Sequence, residues 1–402
     1  MTVTLRHPST DLTVPKTQKA AVFEQWGKPV SFLERPVVQA TELNPGQVLV
    51  KIMYSGVCHT DLHTARAEWP AMPPPPLVGG HEGAGELARI EPLEDYSPES
   101  GFIVAIGAGT QAPVKIGQAV GIKWLGSSCL SCEACTRGYA LFIPTFHQCL
   151  LTVTLMVTRN EQICSKAVQT GLTFDGTFQQ FAVSDAAHVT PIPESVPLHL
   201  AAPILCAGVT VYKAIKQADT LPGDIVVIPG AGGGLGHLAI QYAINGFGLR
   251  VIAIDTGDNK KDLCLKLGAE TFIDFKKSSN LVEAVKHAAD GVGVHAAIVT
   301  SGSAAGYHQA LQYLRPGGTL VAVGAPLGAK LELDIVESIP RNITVKVSYV
   351  GNREDARQAL DMVARGRVQT TCRIEPLTKL PDVFEEMEAG RLAGRVVLDL
   401  WN

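Results

Sequence analysis

From about Leu200 onward, short runs of wholly apolar residues alternate with longer stretches whose apolar positions recur every three to four residues. DIVVIPG reads as a buried strand, LGHLAIQYAINGF as a helix and RVIAID as the next strand. KKDLCLKLG, TFIDF, LVEAVKHAA, HAAIVTS, YHQALQYL and GTLVAVGAP continue the alternation of helix and strand. Strands without a polar face are strands covered on both sides, so this half predicts a doubly wound parallel α/β sheet. Upstream, KAAVFEQW and QVLVKIMYSGV are strand-like runs separated by glycine and proline turns. Near the end, ITVKVSYVG and RVVLDL read as strands, and EDARQALDMVARG and LPDVFEEMEAG as helices.

A length of 402 residues suits two domains. With 46% hydrophobic and 18% charged residues the composition is globular, and a net charge of −4 gives no footprint for nucleic acid or an anionic membrane. The opening MTVTLRHPSTDLTVPKTQKA lacks the apolar core of a secretory signal. Residues 140–157, ALFIPTFHQCLLTVTLMV, are long and apolar enough to span a bilayer, but polar, cysteine-rich flanks argue against a span. Nine cysteines are present, and the spacing of Cys129, Cys132 and Cys135 points to metal ligands before disulfides. Free thiols fit a reducing compartment, most simply the cytosol.

The strand DIVVIP runs into GAGGGLGHLAIQ. Gly230, Ala231, Gly232, Gly233, Gly234, Leu235 and Gly236 form a loop in which Ala231 occupies the first glycine position of the G-x-G-x-x-G frame. Such a loop lets the backbone approach a pyrophosphate at a helix N-terminus. Alone it is a weak signal. Asp255 strengthens it, because a carboxylate ending the next strand would hydrogen-bond the adenosine ribose and repel a 2′-phosphate, favouring NAD over NADP. Lys260 would supplement that contact. The plain alternative is a strand-end aspartate capping a turn.

A second group of chemistry-bearing residues lies in GVCHTDLH, GGHEGAG and PILCAG. Cys58, His81 and Cys206 supply three ligands and leave a fourth position open, as a catalytic zinc requires. Taken singly, a buried cysteine or histidine is more often core packing.

GVCHTDLH, LVGGHEGAG, GIKWLGSSC, DGTFQQF, PILCAGVTVYKA, SYVGNR and AGRVVLDL together resemble the fungal (yeast-type) zinc-containing medium-chain alcohol dehydrogenases, from about residue 15 to the C-terminus. The resemblance implies a GroES-like, mostly β catalytic domain (residues 1–205 and 339–402), a Rossmann domain (206–338) and a homotetramer. It implies NAD and two zinc ions, with Cys58, His81 and Cys206 on the catalytic one. Asp61 would orient His81, and Glu82 would lie behind the metal as a transient ligand. Thr60 would take the alcohol proton and pass it toward His63 near solvent. His59 and Arg395 would hold the pyrophosphate, and Trp69 and Trp124 would narrow the pocket to short primary alcohols such as ethanol. Ala325, where a larger apolar side chain is usual, would widen it by an effect worth roughly 1–3 kcal/mol for bulkier substrates. Secondary or aromatic alcohols are the alternative substrates. A non-catalytic nucleotide-binding relative is the remoter alternative, against which the intact ligand set argues.

Two stretches depart from that family. Cys129, Cys132 and Cys135 need a fourth thiolate, and both Cys149 and Cys164 follow. Removing Ala140 to Asn160 leaves CTRGYEQICSK and brings Cys164 to the family spacing. Removing roughly Glu86 to Gly101 likewise joins GGHEGAG to FIVAIGAGT, restoring one strand. Both stretches are expected to be translated intron sequence, with genuine surface loops as the alternative. A displaced fourth ligand would loosen the cysteine lobe, whereas the catalytic ligands are untouched.

Overall fold

The computed structural model describes residues 13–69, 71–87, 105–110, 112, 114–136 and 160–402. The later half forms a six-stranded sheet in the spatial order Thr271–Asp274, Arg250–Asp255, Ile225–Pro229, Val294–Val299, Leu314–Ala322 and Thr344–Val347. Every adjacent pair is parallel. In chain order this is 3-2-1-4-5-6, the doubly wound arrangement, with its topological switch at Ile225–Pro229. The two faces feed separate cores. Val226, Ile228, Val251, Ala253, Ala296 and Ile298 pack in one apolar cluster. Val227, Ile252, Ile254, Ala297, Val299 and Leu320 pack in the other. Side chains alternate across a strand, so burial on both faces is what makes these runs continuously apolar.

Two expectations are corrected. The parallel sheet includes Thr344–Val347, so it continues past the anticipated boundary at residue 338; the helix Ile335–Arg341 leads into this edge strand. The segment anticipated as one helix through Phe247 is α-helical only over Gly236–Gln241 and then widens into a π-helical turn, Tyr242–Gly246. A helix that had not been anticipated, Ala207–Lys216, lies between the two halves and packs on the helices Gly236–Gln241 and Arg353–Ala364.

The earlier half is built on an eight-stranded sheet around the central strand Gln47–Gly56. The last strand, Arg395–Asp399, pairs antiparallel with it, so the C-terminus returns to the first domain. The strand Gly83–Leu87 runs along Gln47–Gly56 until Leu87 lies opposite Val50. Ala105 then takes the place opposite Leu49, and Ile106 that opposite Val48. The ladder therefore resumes at the next partner residue, with Glu86 and Leu87 still in the strand. At the second stretch, the Asn160 N–H donates to the Ala134 carbonyl at 2.9 Å, so the chain re-enters beside the point where it left. Most of the two stretches, and Cys149, lie outside the described residues, as does the apolar run 140–157. Among the described residues no single helix is long and apolar enough to cross a membrane.

Candidate active site

Cys58 sits at the N-terminus of the short helix His59–Ala65, directly after the central strand. His81 and Glu82 precede the strand Gly83–Leu87, and Cys206 precedes the helix Ala207–Lys216. The fold brings the four together. One ligand atom from each of Cys58, His81, Glu82 and Cys206 lies within 4.8 Å of the others. His81 Nε2 is 3.3 Å from Cys206 Sγ, and its Nδ1 is 2.9 Å from Asp61 Oδ1. Asp61 accepts the Cys58 backbone N–H through its other oxygen at 2.8 Å. One buried carboxylate thus orients two members of the group.

Electrostatics favour a cation. The hydrogen bond with Cys206 holds the Cys58 thiol well below its ordinary value against burial, and the same pairing pushes Cys206 up. Burial alone would lower His81, but the Asp61 carboxylate raises it well above the usual histidine value. Burial pushes Glu82 up to about 7, against the pull of Arg395, whose guanidinium donates to Glu82 Oε1. The other Glu82 oxygen is buried without a partner. Two sulfurs, an imidazole and a carboxylate oxygen fit zinc, whose borderline softness accepts S, N and O ligands.

Trp124 packs edge-on against His81 with centroids 5.0 Å apart, and Trp69 lies 6.4 Å from Trp124. Thr60 Oγ1 is 3.6 Å from Cys58 Sγ. His59 and His63 have ring centroids 6.2 Å apart, and burial lowers the His59 pKa. Two participants escaped the sequence reading. Glu68 Oε2 lies 2.5 Å from His63 Nδ1, because Ala67 adopts a left-handed φ of 56° that turns the chain back on its helix. Tyr349 Oη accepts the Trp124 indole N–H at 2.6 Å. Ala325 lies exposed after the strand Leu314–Ala322.

A separate lobe holds Cys129, Cys132, Cys135 and Cys164. Sulfur separations are 4.0 Å for Cys129–Cys135, 3.6 Å for Cys132–Cys135, 3.7 Å for Cys132–Cys164 and 3.5 Å for Cys164–Cys129. Sulfurs tetrahedrally placed about 2.3 Å from zinc would lie about 3.8 Å apart, whereas a disulfide needs about 2.05 Å. Backbone N–H groups of Cys132 and Lys166 point at Cys129 Sγ and Cys164 Sγ, 3.3 and 3.4 Å away, as thiolates require. The fourth sulfur of this cluster belongs to Cys164, despite its sequence displacement. Glu161, which is buried, forms a forked pair with Arg353 of the helix Arg353–Ala364 and ties the lobe to the body of the protein.

The glycine loop leaves Ile225–Pro229 with Gly230 at φ 85°. A Cβ on Gly236 would meet Gly230 O at 2.2 Å, and one on Gly232 would meet Lys260 Cβ at 2.5 Å. At Gly233 the nearest neighbour would be Gly230 O at 3.4 Å, which leaves this position open to a ligand. Asp255 accepts the Gly232 N–H at 2.9 Å and lies 3.2 Å from Lys260 Nζ. A dinucleotide fits: the loop is compact behind, open at Gly233, and flanked by a buried carboxylate where a ribose would sit.

Residues 44–194 match the family described as alcohol dehydrogenase GroES-like domain, and residues 234–365 match zinc-binding dehydrogenase. An alcohol dehydrogenase of Schizosaccharomyces pombe is 45% identical over 97% of this chain and 99% of its own. Alcohol dehydrogenase 1 of Emericella nidulans is 44% identical over 97% and 99%. The chain belongs to the zinc-containing medium-chain alcohol dehydrogenase family, fungal type. Among solved structures, the alcohol dehydrogenase of Aeropyrum pernix superposes on this family member with a TM-score of 0.79 at 28% identity, covering 95% of this chain and 99% of that one. Acetophenone reductase from Geotrichum candidum, solved in complex with NAD, gives 0.76 at 25% identity, covering 96% and 98%. The expected fold class and alcohol oxidoreductase activity both stand.

In this dehydrogenase, replacing Asp61 with asparagine keeps the side-chain shape and removes the charge facing His81 Nδ1. The expected cost is about 10–100-fold in zinc affinity or activity, read by chelator titration alongside alcohol-dependent NADH formation. An unchanged zinc affinity and rate would show that Asp61 is only a helix cap.

Proposed function

We propose that the enzyme interconverts short primary alcohols and their aldehydes, ethanol and acetaldehyde first, with NAD(H). The observation that carries this is the Cys58–His81–Cys206 group, with Thr60 beside it and Trp124 against its histidine. When bound, zinc supplies positive charge next to the substrate oxygen and NAD supplies the hydride acceptor. Cys58, His81 and Cys206 would hold the metal, and a Glu82 carboxylate oxygen within 4.8 Å of their ligand atoms would be available as a transient fourth ligand. Thr60 would accept the alcohol proton while releasing its own hydroxyl proton toward His63 near the surface, a relay that the cofactor ribose would complete. Glu68 at His63 Nδ1 leaves Nε2 as the accepting atom. The loop Gly230–Gly236, with His59 and Arg395, cradles the pyrophosphate, while Asp255 and Lys260 hold the adenosine ribose.

Trp69 and Trp124 exclude bulky substrates. Ala325 favours a second reading, in which longer or branched alcohols are also accepted. The lobe cysteines hold a second, structural zinc. Catalytic and nucleotide domains follow the chain division given by the resemblance, with the edge strand Thr344–Val347 assigned to the nucleotide domain. The exposed Val345 and Val347 on that edge, with Val336 and Ile339 on the preceding helix, support a homo-oligomer, a homotetramer by family resemblance. The free thiols support the cytosol.

A panel of ethanol, butanol, propan-2-ol and benzyl alcohol with NAD tests the reading. Ethanol is expected to give the highest kcat/KM; a preference for propan-2-ol or benzyl alcohol would replace it with the secondary- or aromatic-alcohol reading. No NADH from any of them in zinc-replete protein would sink the dehydrogenase assignment. Asp255→Asn is expected to raise kcat/KM with NADP relative to NAD by at least about tenfold, since a single carboxylate is what repels the 2′-phosphate. An unchanged cofactor ratio would remove Asp255 from that role.

A further inference from the structure

His237 is wholly buried at the second residue of the helix that follows the glycine loop, and no step above uses it. Its Nδ1 lies 3.0 Å from the Gly233 carbonyl, which can only accept, so the ring proton is on Nδ1. Its Nε2 is then an acceptor and receives the Thr371 N–H at 3.2 Å. Both partners specify one neutral tautomer, and burial, which lowers the pKa to about 4, favours that uncharged form. Thr371 precedes the strand Cys372–Pro376 of the first domain's sheet. Its carbonyl accepts the Arg395 N–H at 2.9 Å, and the neighbouring Gly394 N–H donates to the Gly232 carbonyl at 3.2 Å. A closed circuit results: Gly233 to His237 to Thr371 to Arg395 and Gly394, and back to Gly232. The Arg395 side chain in turn bonds Glu82 beside the metal group.

We propose that His237 is a positioning residue that registers the cofactor loop against the metal-bearing domain through its paired hydrogen bonds to Gly233 and Thr371. This deepens the proposed function and rests on its reading of the loop as the NAD site. The circuit fixes loop carbonyls on one side and the arginine that braces Glu82 on the other. Hydride transfer is sensitive to such register, since a misplacement of about 1 Å can cost about 100-fold in rate.

His237→Leu keeps comparable bulk and removes both hydrogen bonds. His237→Gln can restore both, with its amide N–H on Gly233 and its amide oxygen on Thr371. Zinc-replete protein is assayed for NADH affinity by fluorescence titration and for steady-state ethanol oxidation. The leucine variant is expected to weaken NADH binding about tenfold and to lower kcat, with zinc content unchanged. The glutamine variant is expected to recover to within about threefold of wild type on both readouts. If the leucine chain does not fold, His237→Asn, which reaches Gly233 but is too short for Thr371, must lower kcat where glutamine does not. Wild-type affinity and kcat in the leucine variant, or a glutamine variant as impaired as leucine, would overturn the positioning role while leaving the NAD site in place. Wild-type protein that binds no NADH would overturn both.

Discussion

Replacing His81 with alanine is expected to lower kcat/KM for ethanol by at least about 1000-fold, the scale of losing the charge that stabilises a developing oxyanion. His81 is the only nitrogen in its group, lies 3.3 Å from Cys206 Sγ, and packs against Trp124. Its loss leaves Asp61 buried with only the Cys58 N–H, so folding stability should also fall, by about 3 kcal/mol. Elemental analysis should count one zinc fewer per chain, and NADH binding should persist because Asp255 and the glycine loop stand apart. A variant keeping a tenth of wild-type activity would show that Cys58, Cys206 and Glu82 suffice and that His81 is a packing residue.

Replacing Cys164 with serine acts on the other centre. The four sulfurs lie at separations of 3.5 to 4.0 Å, and serine offers a poor ligand in the place of a thiolate. Closed four-thiolate sites contribute on the order of 10 kcal/mol to folding in small metal domains, which bounds the loss here from above. The lobe zinc is expected to leave, the melting temperature to drop, and a chelator to unfold the variant at concentrations the parent survives. Ethanol oxidation below the new melting temperature should continue, since the catalytic ligands belong to other elements. Two zincs in the serine variant would hand the fourth position to Cys149.

The nucleotide half was legible because its strands are covered on both faces, which writes each of them as an unbroken apolar run between glycine turns. The candidate ligand sets were suggested for another reason: CLSCEAC carries a metal-type spacing, and GVCHTDLH, GGHEGAG and PILCAG together carry the family resemblance. What could not be read depends on chain reversals and long-range approach. Glu68 reaches His63 only because Ala67 turns left-handed, a conformation nothing in ARAEWP announces. Tyr349 meets Trp124 across 225 residues. His237 lies within an apolar run that carries no sign of its partners, although both ring nitrogens are hydrogen-bonded. Cys164, by contrast, is marked out in the sequence by the family spacing, and its sulfur lies 3.5 Å from that of Cys129 and 3.7 Å from that of Cys132. The widened turn at Tyr242–Gly246 has no signature in an otherwise regular helical pattern.

The register around Leu87 and Ala105, and the bond from Asn160 to Ala134, give the molecule two ports. At each, the outgoing and returning chain are already neighbours, so the scaffold is indifferent to what travels between them. Lengthening such an excursion costs only about 0.6 kcal/mol per doubling. Shorter and longer versions of this chain would thus share one framework and differ chiefly in what hangs from it. The same two points would accept cargo, such as an epitope or a protease site, while the metal centres and the cofactor loop kept their places.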